Sequence, residues 1–235
     1  MQPPRRSHLI VAWTGAVVFA ASLVWFVYCY LVLFEQPDHS DVVLRPVVTD
    51  TLLFTAFALH HSVLARSGAK ERLRRIVPAE LERSLYTWVA SLLFLGVCTW
   101  WQPVPGVLYA LDGVWRVAAW GLQLLGVFLT LRASRALDEL DLAGVRSVLR
   151  SGGKRSPLTT RGLYGFVRHP LYFAWALFVF STPTMTGTRA AFAVISTAYL
   201  MIAIPWEERS LIETFGQEYE VYRQRVKTRM LPGLY

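Results

Sequence analysis

Thr159–Tyr172 reads TTRGLYGFVRHPLY, two arginines and a histidine set among glycines and aromatics directly before an apolar run. Gly162 and Gly165 allow the backbone close to a ligand or into positive φ. Pro170 suits the first turn of a helix, where its missing N–H costs nothing. His169 then stands at the entry to that helix and Arg168 just outside it. A helix N-terminus with unpaired N–H groups beside an arginine is an anion site. The same residues also read as a basic juxtamembrane stop followed by a Pro-started helix, and the stretch alone leaves both readings open.

Outward from this stretch the chain is a series of apolar runs. Downstream, Leu171–Thr182 offers about 12 apolar residues, roughly 18 Å of helix, too short to cross roughly 30 Å of hydrocarbon unaided. TPTMTG at Thr182–Gly187 turns the chain, and Thr188–Trp206 returns as a fuller helix, so the pair reads as a tight hairpin. Upstream, apolar runs at His8–Phe34, Val47–Ala65, Leu85–Trp101 and Val114–Leu131 (the last with Arg116 near its outer end) read as four further spans. The first lacks a small-residue cleavage site, which argues against a removable signal peptide. Across 235 residues the chain is 54% apolar and 17% charged, a membrane-like balance. The apolar runs do not alternate charge at a helical period, as surface helices of a soluble α protein would. The fold class expected is all-α: a polytopic transmembrane helical bundle of about six spans including the C-terminal hairpin, with a cytoplasmic C-terminal helix over the site. Residues 1–235 form one integral domain in this reading, 1–131 supplying four spans and 132–235 the candidate site.

The bases orient the bundle. With a cytoplasmic N-terminus and six crossings, the inside segments hold 21 of the 24 Lys and Arg residues, leaving Arg45, Arg116 and Arg189 outside. Both termini are then cytoplasmic and the protein is multi-pass. The net charge of +8 lies beside apolar spans, which points to an anionic membrane face and not to nucleic acid. Cys29 and Cys98 sit singly inside apolar runs and read as small buried hydrophobes. No metal-ligand spacing is present, and the sequence sets no oligomeric state.

A second tract, WEERSLIETFGQEYEVYRQRV at Trp206–Val226, follows the hairpin. Gly162, Tyr164, Arg168, His169, Pro170 and Tyr172, followed by Glu207, Glu208, Leu211, Phe215, Gly216, Tyr219 and Tyr222, resemble the shared pattern of the membrane-integral methyltransferases. That superfamily includes isoprenylcysteine carboxyl methyltransferase, phosphatidylethanolamine N-methyltransferase and methanethiol S-methyltransferase. HHSVLAR at His60–Arg66, VPAELERSLY at Val77–Tyr86 and WWQPVP at Trp100–Pro105 look most like the methanethiol branch.

The resemblance implies S-adenosyl-L-methionine as methyl donor, with S-adenosyl-L-homocysteine as product. It places cofactor contacts on Ser156, Pro157, Leu158 and Thr159, on Tyr164, on His169, Pro170, Leu171 and Tyr172, and on Glu207. A family glutamine contact falls near Leu149, where this chain departs from the pattern. Arg168, with His61 a candidate catalytic residue, suits the cofactor's carboxylate, and Glu207 its amino group or ribose hydroxyls. Glu208, turned by about 100° along a helix, is expected to matter much less to the cofactor. Plainer readings stand beside these: His169 as an N-cap alone, Glu207–Glu208 as a solvated helix end, and Tyr164 and Tyr172 as interface anchors. His60 and His61 read either as a structural polar pair near a span end or as ionisable groups facing a cavity. His61 is the candidate base for a thiol acceptor.

The prenylcysteine enzyme's substrate-binding arginine falls here on Ala203. No base lies between Arg189 and Arg209, so a carboxylated acceptor would find no cation at that depth. The acceptor expected is a small thiol or another small apolar nucleophile, with prenylcysteine carboxyl methylation or phospholipid N-methylation as the alternative. An NADPH-dependent sterol-reductase-like enzyme and a non-enzymatic membrane accessory protein are the readings from other classes.

Overall fold

A computed structural model describes residues 5–64, 76–137, 143–149, 157–233 and 235. The described chain is mostly helical and falls into two compact units.

In the first unit, α1 (Arg6–Tyr28, continued by a π-turn at Cys29–Leu33) and α2 (Leu44–Leu64) both pack on α3 (Glu82–Trp100). Gly15 is what lets α1 meet α3: a Cβ there would stand 2.8 Å from the Trp88 ring. The indole of Trp88 donates to the Val11 carbonyl at 2.9 Å, so a large aromatic is buried without orphaning its N–H. Phe94 is the common partner of Phe26 and Phe57, at 5.5 and 5.4 Å between ring centroids. Asp50 on α2 accepts the Gln102 backbone N–H at 2.8 Å, just past the end of α3. A short helix, α5 (Arg146–Leu149), seats Val145 and Val148 against Ala12, and Ser84 donates to the Gly144 carbonyl at 2.6 Å.

The second unit holds α4 (Gly113–Ala136), α6 (Pro170–Phe180), α7 (Gly187–Phe215) and α8 (Gln217–Arg225). At Gly126, α4 and α6 run almost backbone to backbone, because a Cβ there would lie 3.0 Å from the Ala174 carbonyl oxygen. Gln123 donates to the Phe178 carbonyl at 3.2 Å along the same seam. The expected hairpin is present. Its turn contains a feature the all-α expectation lacked: β1 (Val107–Ala110) pairs antiparallel with β2 (Thr184–Thr186), with Val107 opposite Thr186. Gly187 follows, its α-carbon so close to the Pro105 carbonyl that a Cβ would stand 2.3 Å from the oxygen. Arg189 is fully buried there, donating to the Thr184 carbonyl at 2.7 Å and lying 3.4 Å from Glu35.

Three of the described helical segments are long and apolar enough to cross a membrane: Arg6–Leu33, Gly113–Ala136 and Gly187–Phe215. α6, at 11 residues, is the short apolar helix expected. α7 differs from expectation. It does not stop at Trp206 but runs through Glu207 and Glu208 to Phe215, 29 residues or about 43 Å, with Pro205 inside it. Its apolar stretch ends at Trp206, so its last turns stand beyond the spanning part. Gly216, at φ 56, then reverses the chain into α8. Most of the cationic loop after α2 and the SGGKRS portion of the turn at 151–156 lie outside the described residues.

Candidate active site

Pro170 opens α6, and His169 precedes it with the non-helical φ of −120° and ψ of 66°. The His169 carbonyl accepts the backbone N–H groups of Tyr172 and Phe173, each at 3.1 Å, but its side chain caps nothing. The ring is instead turned to α7, with Nδ1 3.5 Å from Glu207 Oε2 and Nε2 3.3 Å from Glu208 Oε1. Tyr172 lies three residues on, on the same helix face. Its ring stacks on His169 at 5.3 Å, and its hydroxyl donates to Glu207 Oε2 at 2.6 Å.

Arg168 carries the tightest set of bonds in the site. Its Nε donates to Glu208 Oε1 at 2.7 Å, and its Nη1 to the carbonyls of Val226 and Lys227 at 2.7 and 2.8 Å. The backbone N–H groups of Arg168 and His169 donate to Thr228 and Arg229 at 3.0 and 2.9 Å. One residue thereby ties α6 to α7 and holds the chain beyond α8 against both. The Arg168 and Glu208 side chains are 4% and 5% exposed, whereas Glu207 is 44% exposed. The acid pair is therefore divided: Glu208 is consumed inside the protein, and Glu207 faces outward with one oxygen held by Tyr172.

Electrostatics follow from this packing. Burial disfavours a charged His169, but the adjoining carboxylates of Glu207 and Glu208 outweigh it and raise its pKa above the ordinary value. Burial also works against the Glu208 carboxylate, yet His169 and Arg168 hold it down at about 2. Glu208 is thus ionised throughout the physiological range.

Beside the clamp lies an apolar wall. Tyr164, Tyr219, Tyr222, Ala133 and Val226 form a buried cluster, with Leu158 and Leu171 packed against it. The Tyr222 hydroxyl donates to the Tyr164 carbonyl at 2.7 Å, fixing α8 to the 3-10 turn Gly162–Gly165. Burial pushes the Tyr222 phenol up to about 12, keeping it a donor. Tyr219 is equally buried, but its hydroxyl meets no hydrogen-bond partner among the described residues.

The structure thus brings together Arg168, His169, Pro170, Tyr172 and Glu207 in one place, and gathers Leu158, Tyr164 and Leu171 in the adjoining wall. Thr159 donates to the Ala136 carbonyl at 3.1 Å, and Pro157 is exposed. Ser156 lies outside the described residues, as does the side chain of His61, whose backbone belongs to α2. Neighbouring His60 stacks on Tyr86 at 5.7 Å, and both its ring nitrogens are buried without a hydrogen-bond partner among the described residues. Sequence reasoning missed Glu208 as the partner of Arg168 and His169, and the carbonyls of Val226 and Lys227. The buried acid carries a signal only in hindsight: one of two adjacent glutamates must face inward if the helix continues past them.

The chemistry the arrangement supports is cofactor binding. A half-exposed carboxylate accepts from ammonium or hydroxyl groups, and Arg168 Nη2, which has no partner among the described residues, donates to a carboxylate. The site stands on a helical scaffold in which three of the described helical segments are long and apolar enough to cross a membrane.

The comparisons with known proteins agree. Residues 114–218 match the family model for phospholipid methyltransferases. Methanethiol S-methyltransferase 2 of Bradyrhizobium diazoefficiens is 31% identical, covering 97% of this chain and 92% of its own length. The methanethiol S-methyltransferase of Mycobacterium tuberculosis is 34% identical over 93% and 94%, and that of Crocosphaera subtropica 35% identical over 89% and 83%. No solved structure matches. The chain belongs to the methanethiol S-methyltransferase family.

Proposed function

We propose that the protein transfers a methyl group from S-adenosyl-L-methionine to a small thiol such as methanethiol at the cytoplasmic face of a membrane. The observation that carries this reading is the divided acid pair: Glu208 locks the RHP segment to α7 and leaves Glu207 exposed beside the His169–Tyr172 stack. When bound, S-adenosylmethionine supplies an electrophilic methyl on a sulfonium sulfur. Glu207 would hold the ammonium or ribose hydroxyls, Arg168 Nη2 the carboxylate, and Pro157, Leu158, Thr159, Tyr164, His169, Pro170, Leu171 and Tyr172 would line the remainder, with Ser156 at their start. Arg168 thus serves as a positioning residue more than as a catalytic one, since its other nitrogens are spent on Glu208 and on backbone carbonyls.

The acceptor sulfur attacks as thiolate, so a base must take its proton. His61 is our candidate, and orienting both reactants in a dry site supplies the rest of the rate. The names of the relatives favour methanethiol, and so does α7 itself, which carries Ala203 and no base between Arg189 and Arg209. Initial rates with methanethiol and with a farnesylcysteine analogue test the acceptor: faster turnover of the prenylated acid overturns the assignment. An unchanged pH profile in His61→Ala removes that residue as base.

In this reading the chain is one integral domain crossing the membrane six times with both termini cytoplasmic, the arrangement that the distribution of bases supports. A cysteine replacing Asp112 then reacts with an impermeant maleimide in intact cells, and one replacing Arg161 does not. Labelling of the second sinks this topology.

A further inference from the structure

Beyond α8 the chain runs against the entry to α6, where Thr228 and Arg229 accept the backbone N–H groups of Arg168 and His169 at 3.0 and 2.9 Å. It then turns on itself. Pro232 and Gly233, the latter at φ 78, suit the two central positions of a turn. The turn brings Tyr235 back: its backbone oxygen accepts the Met230 and Leu231 N–H groups, each at 2.9 Å, and its N–H donates to the Leu231 carbonyl at 3.0 Å. The side chains close the same hook. Arg229 Nη1 donates to the Tyr235 hydroxyl at 3.1 Å, and its guanidinium carbon stands 5.0 Å from the centre of the Tyr235 ring.

What the hook holds lies directly behind the site. Met230, inside it, is fully buried with Ala176 of α6 and Ile204 of α7, and Tyr172, Met201, Leu231 and Tyr235 pack on that cluster. Ala176 is one turn beyond Tyr172, and Ile204 is one turn before the Glu207–Glu208 pair. The hook therefore reaches both members of the aromatic stack: His169 through the Arg229 carbonyl on its N–H, and Tyr172 through the Met230 cluster. The two rings share one target. Glu207 Oε2 is 3.5 Å from His169 Nδ1 and 2.6 Å from the Tyr172 hydroxyl. A half-exposed glutamate otherwise samples several rotamers, so the firmness of the stack decides where this carboxylate points.

We propose that Arg229 and Tyr235 are positioning residues for the cofactor-binding acid. The latch between them holds the hook against the His169–Tyr172 stack, and the stack in turn holds Glu207 Oε2 in place. Neither residue is assigned a contact with the cofactor. The proposal rests on the S-adenosylmethionine reading above and adds what keeps the binding carboxylate aimed.

The test uses the full chain purified in detergent, with S-adenosylhomocysteine as a non-reacting probe in isothermal titration. Arg229→Gln and Tyr235→Ala each open the latch, and each should raise the Kd about threefold to tenfold. The two side chains make one contact, so the double variant should bind no worse than the poorer single variant. Both residues are half-buried, and their ligand-free thermal midpoints should fall far less than that of Arg168→Ala. A merely structural hook would weaken binding whatever stands at position 207. In a Glu207→Gln background, by contrast, Tyr235→Ala should leave the Kd where Glu207→Gln has put it, because the aimed charge is already gone. Wild-type affinity in both single variants overturns the proposal, as does wild-type affinity in Glu207→Gln. So does a loss that adds in full to that of Glu207→Gln, and so do midpoints that fall as far as that of Arg168→Ala. Wild type that fails to bind S-adenosylhomocysteine at all refutes the underlying reading instead, a result separable from the others.

Discussion

α7 has a buried arginine at each end, and the two are built differently. At its start, Arg189 is 2% exposed and bonded to the Thr184 carbonyl, with Glu35 (45% exposed) beside it. That end is filled: Gly187 touches the Pro105 carbonyl, and Thr188 accepts the Val104 N–H at 2.9 Å. Toward its other end, Arg168 pairs with a carboxylate as buried as itself, and around it stand an exposed acid and, among the described residues, a guanidinium nitrogen and a phenol without hydrogen-bond partners. A buried cation alone therefore marks an anchor. It marks a site only where the groups around it are left incompletely satisfied.

The largest effect that tests this contrast is removal of the cations. Arg168→Ala leaves Glu208 buried without its cation and frees the carbonyls of Val226 and Lys227. It should destabilise the second unit by about 3–5 kcal/mol, read as a large drop in thermal midpoint with loss of cofactor binding. Arg189→Ala should cost less, about 1.5–3 kcal/mol, because Glu35 can return to water. The folded fraction of that variant should bind S-adenosylhomocysteine like wild type. Weakened binding there would break the distinction between anchor and site.

Next come the groups that face the ligand. Glu207→Gln and His169→Ala should each weaken S-adenosylmethionine by about 1.5–3 kcal/mol, or 10- to 100-fold, by isothermal titration. Glu207→Gln should hardly move the midpoint, as its side chain is half in solvent. Glu208→Gln should do the reverse of what its place in the sequence suggested, lowering the midpoint first. A Glu208→Gln variant as stable as wild type would show that the Arg168 pair contributes nothing.

The pH dependence of stability separates the two acids further. Glu208, held at about 2, stabilises the fold fully above its ordinary value of 4.5, a contribution lost as pH falls from there toward 2. His169 has a raised pKa, so its contribution is full below 6.5 and disappears as pH rises through the raised value. Midpoints should therefore be highest between about 4.5 and 6.5 and decline above, and His169→Gln should flatten the alkaline side. A decline that persists unchanged in His169→Gln assigns it to another group.

What the sequence disclosed follows the same division. α1, α4 and the start of α6 were legible because long apolar runs and a Pro at a helix start are local signals. The β1–β2 ribbon was not: four residues of VLYA pair with a strand more than seventy positions later, and no local pattern announces the partner. Arg189 read as one of three bases on the far aqueous side, because the carbonyl and carboxylate that receive it come from distant positions. The end of α7 was misplaced for an allied reason. Two acids after Trp206 look like the point where a helix meets water, and only Arg168, forty residues upstream of Glu208, makes it possible to bury the second. The site's residue types were legible; which of them is spent on the fold was a tertiary fact.

The smallest expected effect is also the most specific. Tyr172 donates to Glu207 Oε2 at 2.6 Å, and the stack on His169 fixes its ring, so its hydroxyl aims the carboxylate without touching the clamp. Tyr172→Phe keeps the stack and removes the aim. Glu207 is exposed enough for water to replace the lost bond, so the thermal midpoint should stay within error of wild type. Affinity for S-adenosylhomocysteine should fall by about 0.5–1.5 kcal/mol, roughly threefold to tenfold, as the carboxylate samples other rotamers. If the hydroxyl acts only through Glu207, adding Tyr172→Phe to Glu207→Gln should change nothing further, and the double variant should bind like Glu207→Gln alone. Additive losses would mean that Tyr172 contacts the ligand itself, placing two ligand groups on α6 in addition to the one on α7.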